Sequence, residues 1–175
     1  MPKLEIDPMD FTLQPFRQWD KGWFALAAGD FSAGKFNAMT VSWGSMGIMW
    51  GRPFAQAVVR PTRFTHRFTE EFDNFTLCAF PEKYRDALNL LGSKSGRDVD
   101  KIALSGLTPV ASQHISSPAF AEAELILECG KIYADHIDPA GFLDPTIAQN
   151  YSGDYHRVYF GQILRIFGEE KYLAK

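Results

Sequence analysis

Six short runs of apolar or alternating residues, separated by glycines, prolines and other turn residues, constrain the fold of this chain most strongly. Each run has the length and pattern of a β-strand. The predicted strands are Trp23–Gly29, Phe36–Trp43, Phe54–Arg60, Phe75–Phe80, Ala119–Tyr133 and His156–Phe167. The Gly-rich segment between Trp43 and Phe54 is predicted to be a flexible connection.

Helices are predicted only between some of these strands. The predicted helices are one that starts after the cap Thr62 and packs through Phe64, Phe68 and Phe72, one from Pro81 to about Gly92, and one from the cap Asp98 to Gly106 with Val99 and Ile102 inward. Because strands and helices do not alternate regularly, the pattern disfavours a doubly wound sheet. It favours a mainly β fold with peripheral helices, in which an antiparallel barrel closes and hides its strand edges.

Length, charge and cysteine usage limit the class of protein. The 175 residues fit a single domain over residues 1–175, and the net charge of −3 argues against a general nucleic-acid binder. No run approaches the roughly 18 apolar residues of a membrane-spanning helix, and no signal peptide is visible, so we expect a cytoplasmic protein outside the membrane. Cys78 and Cys129 lie in apolar runs, which favours buried reduced thiols over a redox pair.

One stretch of the chain carries only positive charge. Asp and Glu make up 21 of the 175 residues, yet none occurs between Phe31 and Thr69. The cationic residues of that stretch are Lys35, Arg52, Arg60, Arg63 and Arg67. A locally cationic stretch on an acidic protein indicates a binding site for a small anion.

The predicted strand end and helix start within this stretch suit a phosphate group. Arg60, Thr62, Arg63 and Thr65 would offer guanidinium forks, hydroxyl groups and the N–H groups of a helix N-terminus. A helix cap with two surface arginines explains the same residues equally well. The neighbouring strand from Met39 to Trp43 offers a wall for a flat ring, with backbone donors and acceptors and the hydroxyls of Thr40 and Ser42. A phosphate at one end and a flat ring at the other are typical of FMN.

Other common catalytic machinery is not visible in the sequence. There is no Gly-x-Gly-x-x-Gly, no Walker loop and no Gly-x-Ser-x-Gly. The histidines at positions 66, 114, 136 and 156 lack metal-ligand spacing, so we predict neither a metal site nor catalytic residues of the protein's own.

Three segments in the same order resemble the flavin reductase-like family with the FMN-binding split-barrel fold, particularly its flavoredoxin-type branch. They are Asn37-Ala-Met-Thr-Val-Ser-Trp-Gly44, Val59-Arg-Pro-Thr-Arg-Phe-Thr-His66 and Ser95-Gly-Arg-Asp-Val-Asp-Lys101, and the likeness covers about residues 20–167. It implies an antiparallel Greek-key split β-barrel and a homodimer that holds FMN noncovalently near the subunit interface. The implied ring-lining residues are Met39, Thr40, Val41, Ser42 and Trp43, with Asn37 nearby; the implied phosphate ligands are Arg60, Thr62, Arg63 and Thr65, with Ser95 and Lys101 towards the ribityl or phosphate region.

The last predicted strand begins at a motif that departs from this family. Related reductases carry Gly-Asp-His there, associated with the nicotinamide donor, whereas this chain has Gly153-Asp154-Tyr155-His156 and then Gly161. The likeness implies that His156 binds the substrate, and the inserted Tyr155 brings the use of NADH or NADPH into question. A structural role for His156 is the alternative.

We therefore predict an FMN-dependent oxidoreductase that passes electrons from NAD(P)H through bound FMN to a small-molecule or protein acceptor. The alternative is an FMN electron carrier reduced by a protein partner. A third hypothesis is a barrel that binds another ligand, such as pyridoxal phosphate or haem. The predicted wall strand has no lysine for a Schiff base, and no histidine is clearly presented as an axial ligand.

Overall fold

An eight-stranded antiparallel sheet lies at the centre of the computed structural model, which describes residues 3–174. The two ends of the predicted domain, residues 1, 2 and 175, lie outside the described residues. The strands are β1 Leu4–Glu5, β2 Phe24–Asp30, β3 Lys35–Val41, β4 Gly44–Met49, β5 Arg52–Val59, β6 Asn74–Ala79, β7 Pro109–Val110, β8 Ala119–Phe120, β9 Leu125–His136 and β10 Arg157–Gly168. The α-helices are α1 Pro15–Arg17, α2 His66–Glu71, α3 Arg85–Ser93, α4 Lys101–Ser105 and α5 Pro145–Ala148. Single turns of other helix types are Gln18–Gly22, Glu82–Tyr84, Pro139–Gly141 and Glu170–Tyr172.

The order of the strands closes the sheet into a split barrel. The path is β3-β2-β6-β9-β10-β5-β4, with β1 paired to β10, and β7 and β8 form a separate two-stranded sheet. The two ends of the path, β3 and β4, are consecutive in the chain and are joined by Ser42 and Trp43 alone. The sheet must therefore curl until its ends meet, and the barrel is split between β3 and β4. The predicted fold class, mainly antiparallel β with peripheral helices, is confirmed.

Apolar side chains on the two faces of the sheet form two cores. Strand β2 is buried on both faces: Phe24 and Leu26 point into the barrel, and Ala25 and Ala27 lie under the helices on its outside. Helix α3 covers that outer face through Ala87, Leu88 and Leu91. Small residues on the outer face of β2 allow the helix to approach closely.

The prediction of a flexible connection after Trp43 is wrong. Residues 44–49 form β4, which pairs with β5 from Gly44 opposite Ala57 to Met49 opposite Arg52. The hairpin turns through Trp50 and Gly51, whose φ angles of 52° and 68° match a two-residue type I′ turn. Pairing with β5 satisfies the backbone groups on one edge of β4. This pairing with a neighbouring strand outweighs the preference of the glycines for a loop.

Several helix and strand boundaries also differ from those predicted. Helix α2 begins at His66 with Thr65 at its N-cap position, so Thr62 is not its cap. Helix α4 is capped by Asp100, whose carboxylate accepts the Ala103 N–H at 3.1 Å, so the prediction of Asp98 is wrong. Val99 is exposed, contrary to prediction, because it precedes the helix, whereas Ile102 is buried as predicted. The predicted strand 119–133 is two strands, separated by a turn at residues 121–124.

Two further expectations concern the cysteines and the membrane. Cys78 and Cys129 are both free and buried, as predicted. Within residues 3–174, no helix has the length and apolar character needed to cross a lipid bilayer.

Candidate functional site

A cavity of about 240 Å³ lies at the split of the barrel. We call it the seam cavity. Its lining residues are Met39, Thr40, Val41, Ser42, Trp43, Val58, Arg60, Arg63 and His156. The whole predicted ring wall from Met39 to Trp43 therefore faces one cavity, together with two of the predicted arginines and the predicted histidine.

The wall contributes mainly backbone and one aromatic ring. Strand β3 ends the sheet path, so only one of its edges is paired, with β2. Met39 and Val41 direct their side chains into the barrel core. The Thr40 hydroxyl donates to the Leu88 carbonyl of α3. Its proton is therefore not available to a ligand, contrary to prediction, but its oxygen can still accept a hydrogen bond. Trp43 is 49% exposed and supplies an open aromatic face.

His156 closes the opposite side of the seam cavity as a neutral imidazole. Its ring lies 5.1 Å from that of Trp43, and Nδ1 lies 3.0 Å from the Tyr151 hydroxyl. Burial, with a smaller contribution from the positive charge of Arg60, lowers the pKa of His156 to about 4. Burial also raises the pKa of Tyr151. Both groups are therefore uncharged at neutral pH. The inserted Tyr155 does not remove the histidine from the cavity.

Arg60 is occupied by the segment that precedes β10. Its Nη1 forms an ion pair with Asp154 at 2.7 Å, and its Nη2 donates to the Asn150 carbonyl at 2.8 Å. The guanidinium also lies over the Tyr151 ring, 5.0 Å from its centroid. The sequence predicted Arg60 as a phosphate ligand, but the structure gives both of its terminal nitrogens partners within the protein.

Arg63 and Lys101 form a second group of cations, which we call the cation pair. Lys101 Nζ donates to the Leu91 carbonyl at 3.0 Å, and Arg63 Nη2 donates to the same oxygen at 3.4 Å. Lys101 is only 2% exposed. Burial, followed by repulsion from Arg63, lowers its pKa to about 8, and burial also lowers the pKa of Arg63.

The cation pair has no acidic counterpart in the part of the chain that the structure describes. Among residues 3–174, neither Arg63 nor Lys101 forms an ion pair. Burying a cation without a counter-charge is costly, so such groups are expected to meet an anion. This arrangement suits a phosphate group better than a helix cap with two surface arginines, because Lys101 is buried.

Five predicted ligands lie outside the seam cavity, and three of them are Thr62, Thr65 and Ser95. The Thr62 carbonyl accepts from Arg97 Nη1 at 3.0 Å, and the Ser95 hydroxyl accepts from the Arg97 backbone N–H at 3.2 Å. Thr65 is fully buried, and its hydroxyl has no hydrogen-bond partner within the described part of the chain. A buried hydroxyl without a partner is costly, which leaves Thr65 able to serve an additional group.

Asn37 and Lys101 line a second cavity of about 600 Å³ on the other side of the cation pair. The Asn37 side-chain oxygen accepts the Ala38 N–H at 2.6 Å. Gly96 packs closely here, because a Cβ at this position would lie 2.2 Å from Asn37 Nδ2 and 2.6 Å from Phe64. Nine of the twelve predicted cofactor ligands thus line one of two cavities, and Thr62, Thr65 and Ser95 line neither. The Leu91 carbonyl lies between the two cavities, because it accepts from Arg63 of one and Lys101 of the other.

Sequence reasoning missed the residues that act through the backbone or through a distant contact. The Leu91 carbonyl belongs to a helix that the sequence placed correctly, but no side-chain pattern marks a carbonyl as an acceptor. Asp154 belongs to the Gly-Asp-Tyr-His motif and Tyr151 lies two residues before it, so the motif was a visible signal. Their contacts with Arg60 join residues more than 90 positions apart in the chain, so only the tertiary structure could reveal them.

Comparisons with known proteins agree with this architecture. A family model described as a flavin reductase like domain matches residues 23–172. The comparison with curated proteins finds no match.

Among solved structures, flavoredoxin of Desulfovibrio vulgaris (Miyazaki F) is 22% identical with a TM-score of 0.66, over 86% of this chain and 70% of that one. An FMN-binding protein from Thermus thermophilus is 21% identical with a TM-score of 0.65, over 85% and 72%. Nitrilotriacetate monooxygenase component B from Bacillus cereus is 21% identical with a TM-score of 0.67, over 98% and 84%. These structures share the fold of this chain.

Proposed function

Because this chain belongs to the flavin reductase-like family, whose domain model matches residues 23–172, we propose that it binds FMN noncovalently and acts as an FMN-dependent oxidoreductase. The proposed electron donor is NADH or NADPH. The proposed acceptor is a small molecule or a protein. Structural neighbours described as flavoredoxin and as an FMN-binding protein support the proposal of FMN.

The observation that carries this proposal is the cation pair beside the seam cavity, in which Lys101 is buried and Arg63 is half-buried. Two cations that have no acidic partner in the described part of the chain suit a phosphate group. The adjoining wall has an unpaired strand edge that suits the polar edge of a ring. The residues present therefore fit FMN. The unpartnered Thr65 hydroxyl adds a donor that a phosphate or ribityl oxygen could use.

Each part of the proposed site has a distinct task. Arg63 and Lys101 would hold the phosphate through charge-assisted hydrogen bonds, with Thr62, Thr65 and Ser95 as further proposed partners. The β3 edge from Met39 to Val41, with Ser42 and Trp43, would orient the ring. Asn37 is proposed to contact the same ligand from the larger cavity.

The chemistry in this proposal belongs to the cofactor. Bound FMN would supply a ring that takes up hydride from a nicotinamide and gives electrons to an acceptor. The protein's own residues bind, orient and exclude water: Trp43 and Val58 cover apolar area, and neutral His156 lines the proposed position of the substrate. Neither task requires a protein acid or base.

Absorption spectroscopy tests this proposal directly. The purified protein loaded with FMN should show the visible flavin bands, and its fluorescence titration should saturate at one FMN per chain. Anaerobic NADH or NADPH should then bleach those bands. Protein that binds no FMN would refute the proposed function, and pyridoxal phosphate or haem would be identified by its own spectrum.

The second candidate function is an FMN electron carrier that a protein partner reduces. It is favoured by the engagement of the motif next to His156: Asp154 pairs with Arg60, and Tyr155 packs on Tyr151 with ring centroids 4.8 Å apart. Asp154 therefore already has an ion-pair partner, and one face of the Tyr155 ring is covered. Bound FMN that neither nucleotide reduces, but that a reduced ferredoxin bleaches, would select this candidate.

We also propose a homodimer in a reducing compartment such as the cytoplasm. Ile48 and Trp50 on the β4–β5 hairpin are each 62% exposed, and an exposed apolar hairpin supports association with a second copy. The buried free thiols of Cys78 and Cys129 support the reducing compartment. Sedimentation equilibrium of the wild type and of Trp50→Glu tests the dimer, and a monomeric wild type would refute it.

A further inference from the structure

The segment of residues 137–155, which connects β9 to β10, forms hydrogen bonds with two residues that line the seam cavity, Arg60 and His156. Arg60 gives both terminal nitrogens to this segment, one to Asp154 at 2.7 Å and one to the Asn150 carbonyl at 2.8 Å. His156 receives the Tyr151 hydroxyl at 3.0 Å. Tyr151 also lies under the Arg60 guanidinium, so one residue contacts both parts of the wall.

The two arginines of the seam cavity differ in charge compensation. Arg63 has no acidic partner among residues 3–174, whereas the Arg60 charge is cancelled by Asp154 at ion-pair distance. Both side chains of the Arg60–Asp154 pair are mostly shielded from solvent. A compensated guanidinium attracts an external anion much less than an uncompensated one, because the pair has no net charge. The Arg60 side of the cavity is therefore electrostatically neutral.

His156 adds a neutral hydrogen-bond donor to the same side. Tyr151 keeps its hydroxyl proton, and that hydroxyl has no other hydrogen-bond partner within the described residues. With this hydroxyl as the donor to Nδ1, the imidazole proton lies on Nε2. An imidazole N–H in a cavity wall favours a carbonyl oxygen on the molecule that enters.

We propose that Asp154 and Tyr151 are positioning residues that keep this wall uncharged and donor-bearing, so that the site favours a neutral, planar, carbonyl-bearing electron acceptor of the quinone class over an anionic one. This inference rests on the proposed function, because it concerns the partner of bound FMN. In this proposal Arg60 contributes to the selection of the acceptor, and the cation pair alone binds the phosphate of FMN.

A matched pair of quinones tests the proposal. FMN-loaded protein is reduced anaerobically with dithionite, which removes any need for a nucleotide donor, and is mixed with 1,4-naphthoquinone or with its 2-sulfonate. The two quinones share one ring and differ by one negative charge. In each reaction two electrons and two protons leave the reduced protein, and the quinone departs as the hydroquinone. Stopped-flow absorbance gives the second-order rate constant for each.

The measured quantity is the ratio of the sulfonate rate constant to the neutral rate constant, relative to wild type. Asp154→Asn frees the Arg60 charge, so the ratio should rise about tenfold, as one new charge-assisted contact would produce. Arg60→Gln leaves the carboxylate of Asp154 unpaired, so the ratio should fall by a similar factor. The double variant Arg60→Gln/Asp154→Asn should return to the wild-type ratio. Asp144→Asn, an N-cap in the same segment, is the matched control and should not change it.

Tyr151 is tested by a readout that loss of packing alone would not give. In ¹⁵N NMR, His156 should be protonated on Nε2 in the wild type and should become a mixture of tautomers in Tyr151→Phe. The rate with the neutral quinone should fall severalfold while the charge ratio stays unchanged. Wild-type protein with the proton on Nδ1 would overturn this part of the inference.

The outcomes separate this inference from the function on which it rests. Bound FMN with a ratio that moves in neither single variant, or moves in the same direction in both, would overturn the inference and leave the proposed function standing. A protein that binds no FMN would overturn both. The ratio of rate constants is expected to rise in Asp154→Asn and to fall in Arg60→Gln. A general loss of structure cannot produce both changes, so misfolding would not be mistaken for support.

Discussion

Replacing Lys101 by methionine should stabilise the ligand-free protein and weaken its affinity for FMN. Lys101 is 2% exposed, its ammonium group has no acidic partner among residues 3–174, and its only hydrogen bond goes to the Leu91 carbonyl. Methionine keeps a similar unbranched stem and removes the charge. The same substitution should therefore raise the free energy of unfolding of the apoprotein and lower the affinity for FMN.

The magnitude follows from the pKa of Lys101. Burial, and then the charge of Arg63, lower this pKa from 10.5 to about 8, which corresponds to an upper limit of about 3 kcal/mol. Contact of the ammonium with solvent in the cavity and loss of the hydrogen bond to Leu91 reduce the gain. We expect Lys101→Met to raise the free energy of unfolding of the apoprotein at pH 7 by about 1–2 kcal/mol. This gain corresponds to an increase in Tm of about 2–8 °C.

The pH dependence gives a second, independent signature. The folded pKa lies below the unfolded one, so the unfolded chain binds the proton more tightly between pH 8 and pH 10.5. The stability of the wild-type apoprotein should therefore gain a contribution from Lys101 as pH rises through this window, and Lys101→Met should lack that contribution. Urea unfolding at a series of pH values measures it.

Affinity for FMN should change in the other direction. Loss of one charge-assisted phosphate contact costs about 1.5–3 kcal/mol, or roughly a ten- to hundredfold increase in Kd measured by flavin fluorescence. Lys83→Met removes the same charge from an exposed position and should alter neither quantity. An apoprotein destabilised by Lys101→Met, or an unchanged Kd, would refute the reasoning about an unpaired buried cation.

Three further predictions address other parts of the site. Arg63→Ala should raise the Kd for FMN about ten- to hundredfold, since it removes the other member of the cation pair, and an unchanged Kd would move the phosphate site elsewhere. Gly96→Ala should lower Tm and weaken FMN binding, because the added Cβ would lie 2.2 Å from Asn37 Nδ2; a fully stable variant would show that the loop moves freely. Because burial places the folded pKa of His156 at about 4, below the unfolded value of 6.5, its contribution to stability should be present above pH 6.5 and be lost as pH falls towards 4. An NMR titration that places the His156 pKa above 6 would contradict this.

The six strand-like runs were sufficient to predict the fold class, which the structure confirms. The acid-free stretch and the three motif segments predicted which residues should face a common ligand, and that assignment stays a prediction. Alternation in β3 predicted a strand because a period of two is a local property of the chain. The motif from Met39 to Trp43 indicated a ligand wall for the same local reason. These features depend on residue type and spacing, which a sequence displays directly.

Only the tertiary structure decided how the cations are used. Arg60 and Arg63 lie three positions apart and carry the same charge. Asp154 neutralises Arg60, whereas Arg63 lies beside Lys101 and has no acidic partner within residues 3–174. The strand β4 also could not be predicted locally, because its glycines indicate a loop and the strand forms only by pairing one edge with β5. Charge compensation and strand pairing are set by groups that are distant in the chain and meet only after folding, so spacing along the sequence cannot reveal them.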